Sequence, residues 1–204
     1  MHDTAPAARS DRVELAGIFV GGASTRWGGM PKGLLQLASG ETLVGRWRTL
    51  FDSLGIETVL VGQHPSYATL GLDCVADEPA GIGPLGGLVG LLARADGRRV
   101  VAVACDMPYV SRSLLERLLT HPSDAAALAP KRGSVWEPWF ARYEGLVPLR
   151  TAKQRVCLGL HSLQGLLDEV HAEPLELCEM EFEQLRDWDC PHDMRSGSPP
   201  PHRG

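Results

Sequence analysis

Two cations and one carboxylate are the residues whose types and settings suggest chemistry. Arg26 and Lys32 stand in a glycine-rich segment, Gly21-Gly22-Ala23-Ser24-Thr25-Arg26-Trp27-Gly28-Gly29-Met30-Pro31-Lys32-Gly33, directly after an apolar run. Glycines let successive backbone N–H groups close on an anion. An arginine fork and a lysine point charge both suit phosphate. The segment is neither a Walker loop, since Gly33 rather than Ser or Thr follows Lys32, nor a GxGxxG turn. Read blandly, it is a flexible surface loop with two stray cations. Asp106, in Ala104-Cys105-Asp106-Met107-Pro108, closes the clearest apolar run in the chain. A carboxylate there suits Mg²⁺, which takes one or two carboxylates plus phosphate oxygens; spacing alone allows a turn or helix-capping role equally. Cys105 reads as a small buried residue rather than a nucleophile, because no histidine is placed to activate it.

Asp187-Trp188-Asp189 is the other carboxylate pair. On an extended segment the two acids share a face, so they either hold a second metal ion or end a strand. His192-Asp193 reads as surface. Trp136, Trp139, Phe140 and Tyr143 read as packing residues rather than as stacking platforms for a base.

The elements that must position these residues follow from the hydrophobic pattern. Residues 13–20 form a buried strand that ends at Gly21-Gly22. Residues 43–54 carry apolar positions at helical spacing, and Gly55 stops them. Glu57 to Val61 and Cys74 to Ala76 are strands, the second ending at Asp77. A second Gly/Pro loop leads into a helix over 85–95. Arg99 to Ala104 is a strand, and Ser111 caps a helix that reaches Leu119. Beyond residue 125 the pattern loosens: 125–129 and 136–143 read as strands that could pair antiparallel, and 162–170 as a helix, with a mixed segment from Glu183 to Trp188. Alternating apolar strands and helices specify an α/β fold, an open, mostly parallel sheet covered by helices on both faces. In such sheets ligands bind beyond the carboxyl ends of the strands. Gly21-Gly22, Asp77 and Asp106 would all converge on that edge.

Composition sets the bounds. The 204 residues include 20 Lys plus Arg and 25 Asp plus Glu, a net charge of −5, which argues against a nucleic-acid binder acting through bulk positive charge. No apolar run approaches the ~20 residues of a membrane span, and residues 1–12 lack the apolar segment of a secretory signal. The expectation is a short flexible N-terminal tail over 1–12, one domain over 13–194, and a disordered Pro-rich tail over 195–204. Five cysteines, Cys74, Cys105, Cys157, Cys178 and Cys190, show no CxxC spacing, so disulfide scaffolds and four-cysteine zinc sites are disfavoured. Free thiols in a reducing cytoplasm are the simple expectation. The 23 glycines and 15 prolines exceed the average share of roughly 12%, and they concentrate in the two loops, around 21–40 and 79–90.

Taken in order, these motifs resemble the nucleotidyltransferase family, and within it the molybdenum cofactor guanylyltransferases. The family opening, an apolar strand and then Gly-Gly-x-Ser-x-Arg-Met-Gly with a downstream Lys, stands here as Gly21-Gly22-Ala23-Ser24-Thr25-Arg26-Trp27-Gly28 with Lys32. Gly-Pro-Leu-x-Gly stands as Gly83-Pro84-Leu85-Gly86-Gly87, and Cys-Asp-x-Pro as Cys105-Asp106-Met107-Pro108. A late Asn-x-Asn-Thr-Pro is matched in part by Asp187-Trp188-Asp189-Cys190-Pro191. The resemblance spans residues 13 to 194. It implies a three-layer Rossmann-like sheet, with GTP and Mo-molybdopterin as substrates, Mg²⁺ as cofactor, and transfer of GMP to the cofactor's phosphate with release of pyrophosphate. Carried over by motif, Phe19, Val20, Gly21 and Gly22 lie along the nucleotide, Arg26 and Lys32 take its phosphates, and Asp106 is the metal ligand. Gly62, Asp77 and the Gly83-Pro84-Leu85 loop are further nucleotide contacts, the loop favouring guanine. Molybdenum-insertion proteins and apo-molybdoenzymes are the implied partners, without nucleic acid or membrane. Val20 replaces Ala, Trp27 replaces Met, Asp187 and Asp189 replace asparagines, and Glu137-Pro138 replaces His-Pro. The alternatives are a cytidylyltransferase or another NTP transferase of this fold, and a non-catalytic nucleotide- or cofactor-binding adaptor.

Overall fold

The computed structural model describes residues 15–21 and 31–188; the two expected tails lie outside them. Among the described residues eight strands form one sheet: β1 (Leu15–Phe19), β2 (Glu57–Val61), β3 (Cys74–Val75), β4 (Val100–Ala104), β5 (Ala127–Arg132), β6 (Val135–Trp136), β7 (Phe140–Tyr143) and β8 (Glu173–Leu175). The order is β3-β2-β1-β4-β7-β5-β6, with β8 also paired to β5. β1 runs parallel to both β2 and β4, in registers that pair Phe19 with Val61 and with Ala104. β7 is antiparallel to β4 and to β5, so the expected mostly parallel sheet carries a reversed strand beyond β4.

Helices cover both faces, as the pattern requires. On one side α1 (Leu43–Asp52) and α3 (Arg112–Thr120) pack Trp47, Phe51, Leu115 and Leu118 against Ala16, Ile18, Val101 and Val103. On the other, α2 (Pro84–Ala95), α4 (Val147–Cys157) and α5 (Leu163–Glu169) pack Leu88, Leu91, Ala152 and Leu166 against Leu15, Phe19, Val100 and Ala102. Alternate residues of β1 and β4 thus enter opposite cores, which is why both strands read as continuous apolar runs. Local signals set the helix starts: the side chains of Thr42, Ser111 and Ser162 accept from the backbone N–H groups of Gly45, Leu114 and Gly165, satisfying donors with no partner inside the helix.

Some elements differ from expectation. The stretch 136–143 is two strands, not one: Glu137 turns back to donate its N–H to the Pro130 carbonyl at 2.8 Å, and Pro138 has no N–H to continue a ladder. Helix α4 went unread because it lacks an apolar stripe; it buries Pro148, Ala152 and Arg155. The three-residue β8 and the single turn α6 (Glu179–Phe182) are too short for a periodic signal. The segment from Glu183 begins as a 3₁₀ turn, Glu183–Leu185.

Helix α2 sits unusually close to the sheet. A Cβ on Gly17 would lie 2.4 Å from Leu91 Cδ2, and one on Gly90 would lie 2.3 Å from the Ala76 carbonyl oxygen. Leu91 can rotate, whereas the carbonyl belongs to the chain entering Asp77 and cannot yield without moving it. Overpacking costs about 1–3 kcal/mol, against about 1 kcal/mol gained from replacing a helical glycine. Gly90→Ala is therefore expected to lower the melting temperature by about 2–6 °C; an unchanged or raised value by calorimetry would show that α2 has room to move.

Candidate functional site

The chain leaves β1 toward β2 and leaves β4 toward the opposite half of the sheet, so the two carboxyl ends part and open a crevice between them. A cleft of about 250 Å³ lies there, walled by Phe19, Val20 and Gly21 from β1 and by Ala104, Cys105, Asp106 and Met107 from β4, with Lys32, Trp139 and Asp187 completing it.

Lys32 opens a 3₁₀ turn, Lys32–Leu34, that follows Pro31. Its Nζ lies 2.8 Å from Asp106 Oδ2, with side-chain exposures of 24% and 16%. The turn is held from below: the Gly33 N–H donates to the buried Tyr67 hydroxyl at 3.2 Å, and a Cβ on Gly33 would meet Val44 at 2.6 Å. Asp106 is held by its main chain. The preceding Cys105 N–H donates to the Phe19 carbonyl at 3.1 Å, and the Asp106 carbonyl accepts from Trp188 N–H at 2.9 Å. Burial pushes the Cys105 thiol far up, with the neighbouring Asp106 charge adding to it. It stays protonated, and its place in the wall is apolar filling.

Among the described residues, Gly62, Asp77, Gly83, Pro84 and Leu85 are not in the cleft wall. Gly62 adopts φ +106°, and a Cβ there would meet Gly21 N at 3.1 Å, so the ends of β1 and β2 touch through two glycines. Asp77 lies beside the first turn of α2: a Cβ on Gly87 would be 3.2 Å from Asp77 Oδ1 and 3.0 Å from Phe19 Cε1. Gly83 and Pro84 are exposed at the start of α2, while the Leu85 side chain is wholly buried. Leu85 as a whole is closed to solvent, so it anchors this corner in the core rather than facing the cleft. Gly22 and Arg26 lie outside the described residues, as does Asp189.

Trp139 is the wall residue that sequence reading missed. Its ring packs at 5.0 Å from Phe19, which fits the packing role read from its type, yet it is only half-buried and also faces the cleft. Its neighbours Trp136, Phe140 and Tyr143 are buried as expected. Nothing in the sequence separates Trp139 from them except its place directly before β7, beside the end of β4.

The cleft's donors fit a hard cation. Asp106 and Asp187 face it, two carboxylates of the kind Mg²⁺ takes when phosphate supplies the remaining oxygens. Among the described residues no group of three or more His, Cys, Asp and Glu converges, which sets the arrangement apart from an all-protein metal cage.

Two nearby carboxyls are raised above their ordinary range. Burial raises Asp77. Burial also raises Glu137, Arg132 opposes that shift, and the negative charge of Asp187 adds to it. A raised carboxyl binds more protons folded than unfolded, so its contribution to stability is fully present below the unfolded pKa and is lost as pH rises through the folded one. Glu137→Gln is thus expected to melt higher than the parent at pH 7, with the advantage gone by about pH 4. A variant that melts lower at pH 7 would mean that Arg132 outweighs burial.

A family model described as the MobA-like NTP transferase domain matches residues 16–172. A Pseudomonas putida protein named molybdenum cofactor guanylyltransferase is 32% identical over 170 residues, covering 79% of this chain and 86% of that protein. A protein of the same name from Ectopseudomonas mendocina is 32% identical over 126 residues, where the match spans 60% of this chain and 62% of the relative. The crystal structure of molybdopterin-guanine dinucleotide biosynthesis protein A from Archaeoglobus fulgidus superposes with a TM-score of 0.71 at 22% identity, covering 89% of this chain and 95% of the other.

Proposed function

This chain belongs to the MobA-like NTP transferase family and is a nucleotidyltransferase, and we propose that it transfers GMP from GTP to the phosphate of Mo-molybdopterin, releasing pyrophosphate. The observation that carries this reading is the Lys32–Asp106 pair, set in an open cleft between the carboxyl ends of β1 and β4. The name shared by the Pseudomonas relatives supports the choice of substrates.

An oxygen of the acceptor phosphate attacks the α-phosphorus of GTP. A new P–O bond forms, the bond to the β-phosphate bridging oxygen breaks, and pyrophosphate leaves with that electron pair. A phosphate monoester is already an anion at neutral pH, so the protein need not deprotonate its nucleophile. Its work is alignment and charge compensation. Backbone groups of Phe19 to Gly22 run along the nucleotide, and the cations of Lys32 and Arg26 take its phosphates. Asp106, with Asp187 beside it, would hold Mg²⁺, which when bound offsets charge on the phosphate oxygens. Gly62, Asp77 and the exposed Gly83-Pro84 corner, which Leu85 anchors in the core, form the base and ribose side, and Trp139 closes one wall of the cleft. Without ligand, Lys32 and Asp106 satisfy one another; a triphosphate gives Lys32 another anion and leaves Asp106 to a cation, so the two bindings favour each other.

The product would pass to molybdenum-insertion proteins and apo-molybdoenzymes in the cytoplasm. Among the described residues no helix is long and apolar enough to cross a membrane.

The test is pyrophosphate release from GTP, CTP, ATP and UTP, with and without Mo-molybdopterin. Release from GTP that requires the acceptor is expected. Lys32→Ala and Asp106→Ala should each lower turnover about a hundred- to thousand-fold, the scale of losing one preorganised electrostatic contact, while the fold is kept. Near-parental turnover in both variants would overturn the site. Release from CTP alone would overturn the base assignment, and tight GTP binding without release would favour a non-catalytic adaptor.

A further inference from the structure

Beyond the Glu183–Leu185 turn the chain runs extended through Arg186 and brings Trp188 back to the cleft. Trp188 is only 4% exposed, although carboxylates flank it on both sides in the sequence. Three kinds of contact fix it. Its main-chain N–H donates to the Asp106 carbonyl at 2.9 Å. Its indole Nε1–H donates to the Tyr109 hydroxyl at 3.0 Å, with the two rings edge-on at 6.5 Å. Its ring joins Leu35 and Leu43 in an apolar cluster separate from the two main cores, with Leu37 and Tyr109 packed against it.

These contacts reach both arms of the charge pair. Leu35 is the residue on which the Lys32 turn ends, its N–H bonded to the Lys32 carbonyl. Asp106 and Tyr109 belong to the segment after β4. Asp187, the chain neighbour of Trp188, is in the cleft wall. The cluster is small and stands apart from the sheet's two main cores. The match to the family model stops at residue 172, before this strap.

We propose that Trp188 is a positioning residue, a clasp that joins the Lys32 turn, the Asp106 segment and the strap bearing Asp187 so that all three side chains face one cleft. The proposal rests on the reading of that cleft as the nucleotide site. Trp188→Phe keeps a ring among Leu35 and Leu43 but loses the indole N–H; Tyr109→Phe deletes the same bond from its other end; Trp188→Ala releases the clasp.

The experiment combines steady-state kinetics with amide hydrogen exchange of the full chain in the absence of ligand. Trp188→Ala is expected to lower kcat at least thirtyfold, with KM for GTP changed less than threefold. It should speed exchange in segments 32–35 and 106–109 while leaving β1 and β4 protected. Trp188→Phe and Tyr109→Phe should each lower kcat three- to tenfold, and the double variant should be no worse than either, because both remove one bond. Parental kcat in Trp188→Ala, or single effects that multiply in the double variant, would overturn the positioning role. Unchanged exchange in the two segments would overturn the clasp itself, and that readout needs no turnover. A parental enzyme inactive with every nucleotide would instead count against the proposed function, leaving the exchange result to decide the clasp.

Discussion

The parallel pairing of β1 with β4 is the constraint on which the rest of the site depends. It sets Phe19 opposite Ala104 and continues one bond further, from Cys105 N–H to the Phe19 carbonyl. After that bond the chains separate, one toward the glycine-rich segment and the other toward α3. Lys32 and Asp106, 74 positions apart, meet across the gap because Tyr67 holds the turn that carries Lys32 and the β1–β4 register fixes the chain entering Asp106. A shift of register by one residue would turn each strand's core-facing set to the other face and carry Asp106 away from Lys32.

The pair itself adds little to stability. Partly exposed ion pairs are worth on the order of 1 kcal/mol or less. What the fold invests is order around it. Tyr67 holds the Lys32 turn from α1's side of the sheet, the Phe19 carbonyl anchors the chain entering Asp106, and Trp188 bonds the Asp106 carbonyl. The close seat of α2, with Leu91 over Gly17 and Gly90 against the Ala76 carbonyl, brings Asp77 and the Gly83-Pro84 corner to the same edge. A transferase whose nucleophile arrives ionised has more use for such fixed charges than for a general base, and the buried, protonated Cys105 beside Asp106 fits that division of labour.

Much of this was legible in the sequence because the sheet's centre is doubly covered. β1, β2 and β4 appear as apolar runs, Ser111 announces its helix, Asp106 stands where a strand ends, and Lys32 stands in the glycine-rich segment after one. Other features depend on three-dimensional neighbours. Leu85 belongs to a loop motif, yet its side chain completes the core. Trp139 is indistinguishable by type from Trp136, and only its pairing to Ala104 at the end of β4 gives it a face on the cleft. Trp188 sits between two acids in a segment of mixed pattern, and its burial follows only from the strap's return to Leu35 and Leu43. Helix α4 hides because its buried face includes Arg155, which pairs with Glu169 at 2.7 Å.

Nucleotide binding at the β1–β4 edge can be read from amide hydrogen exchange of the full chain with GTP and Mg²⁺ added. The account predicts new protection concentrated in residues 19–21, 31–35 and 104–107. The sheet also carries a cavity at its opposite edge, bounded by Arg99, His121 and Glu173. Protection centred there, or GTP binding that leaves the three β1–β4 segments unchanged, would contradict the account.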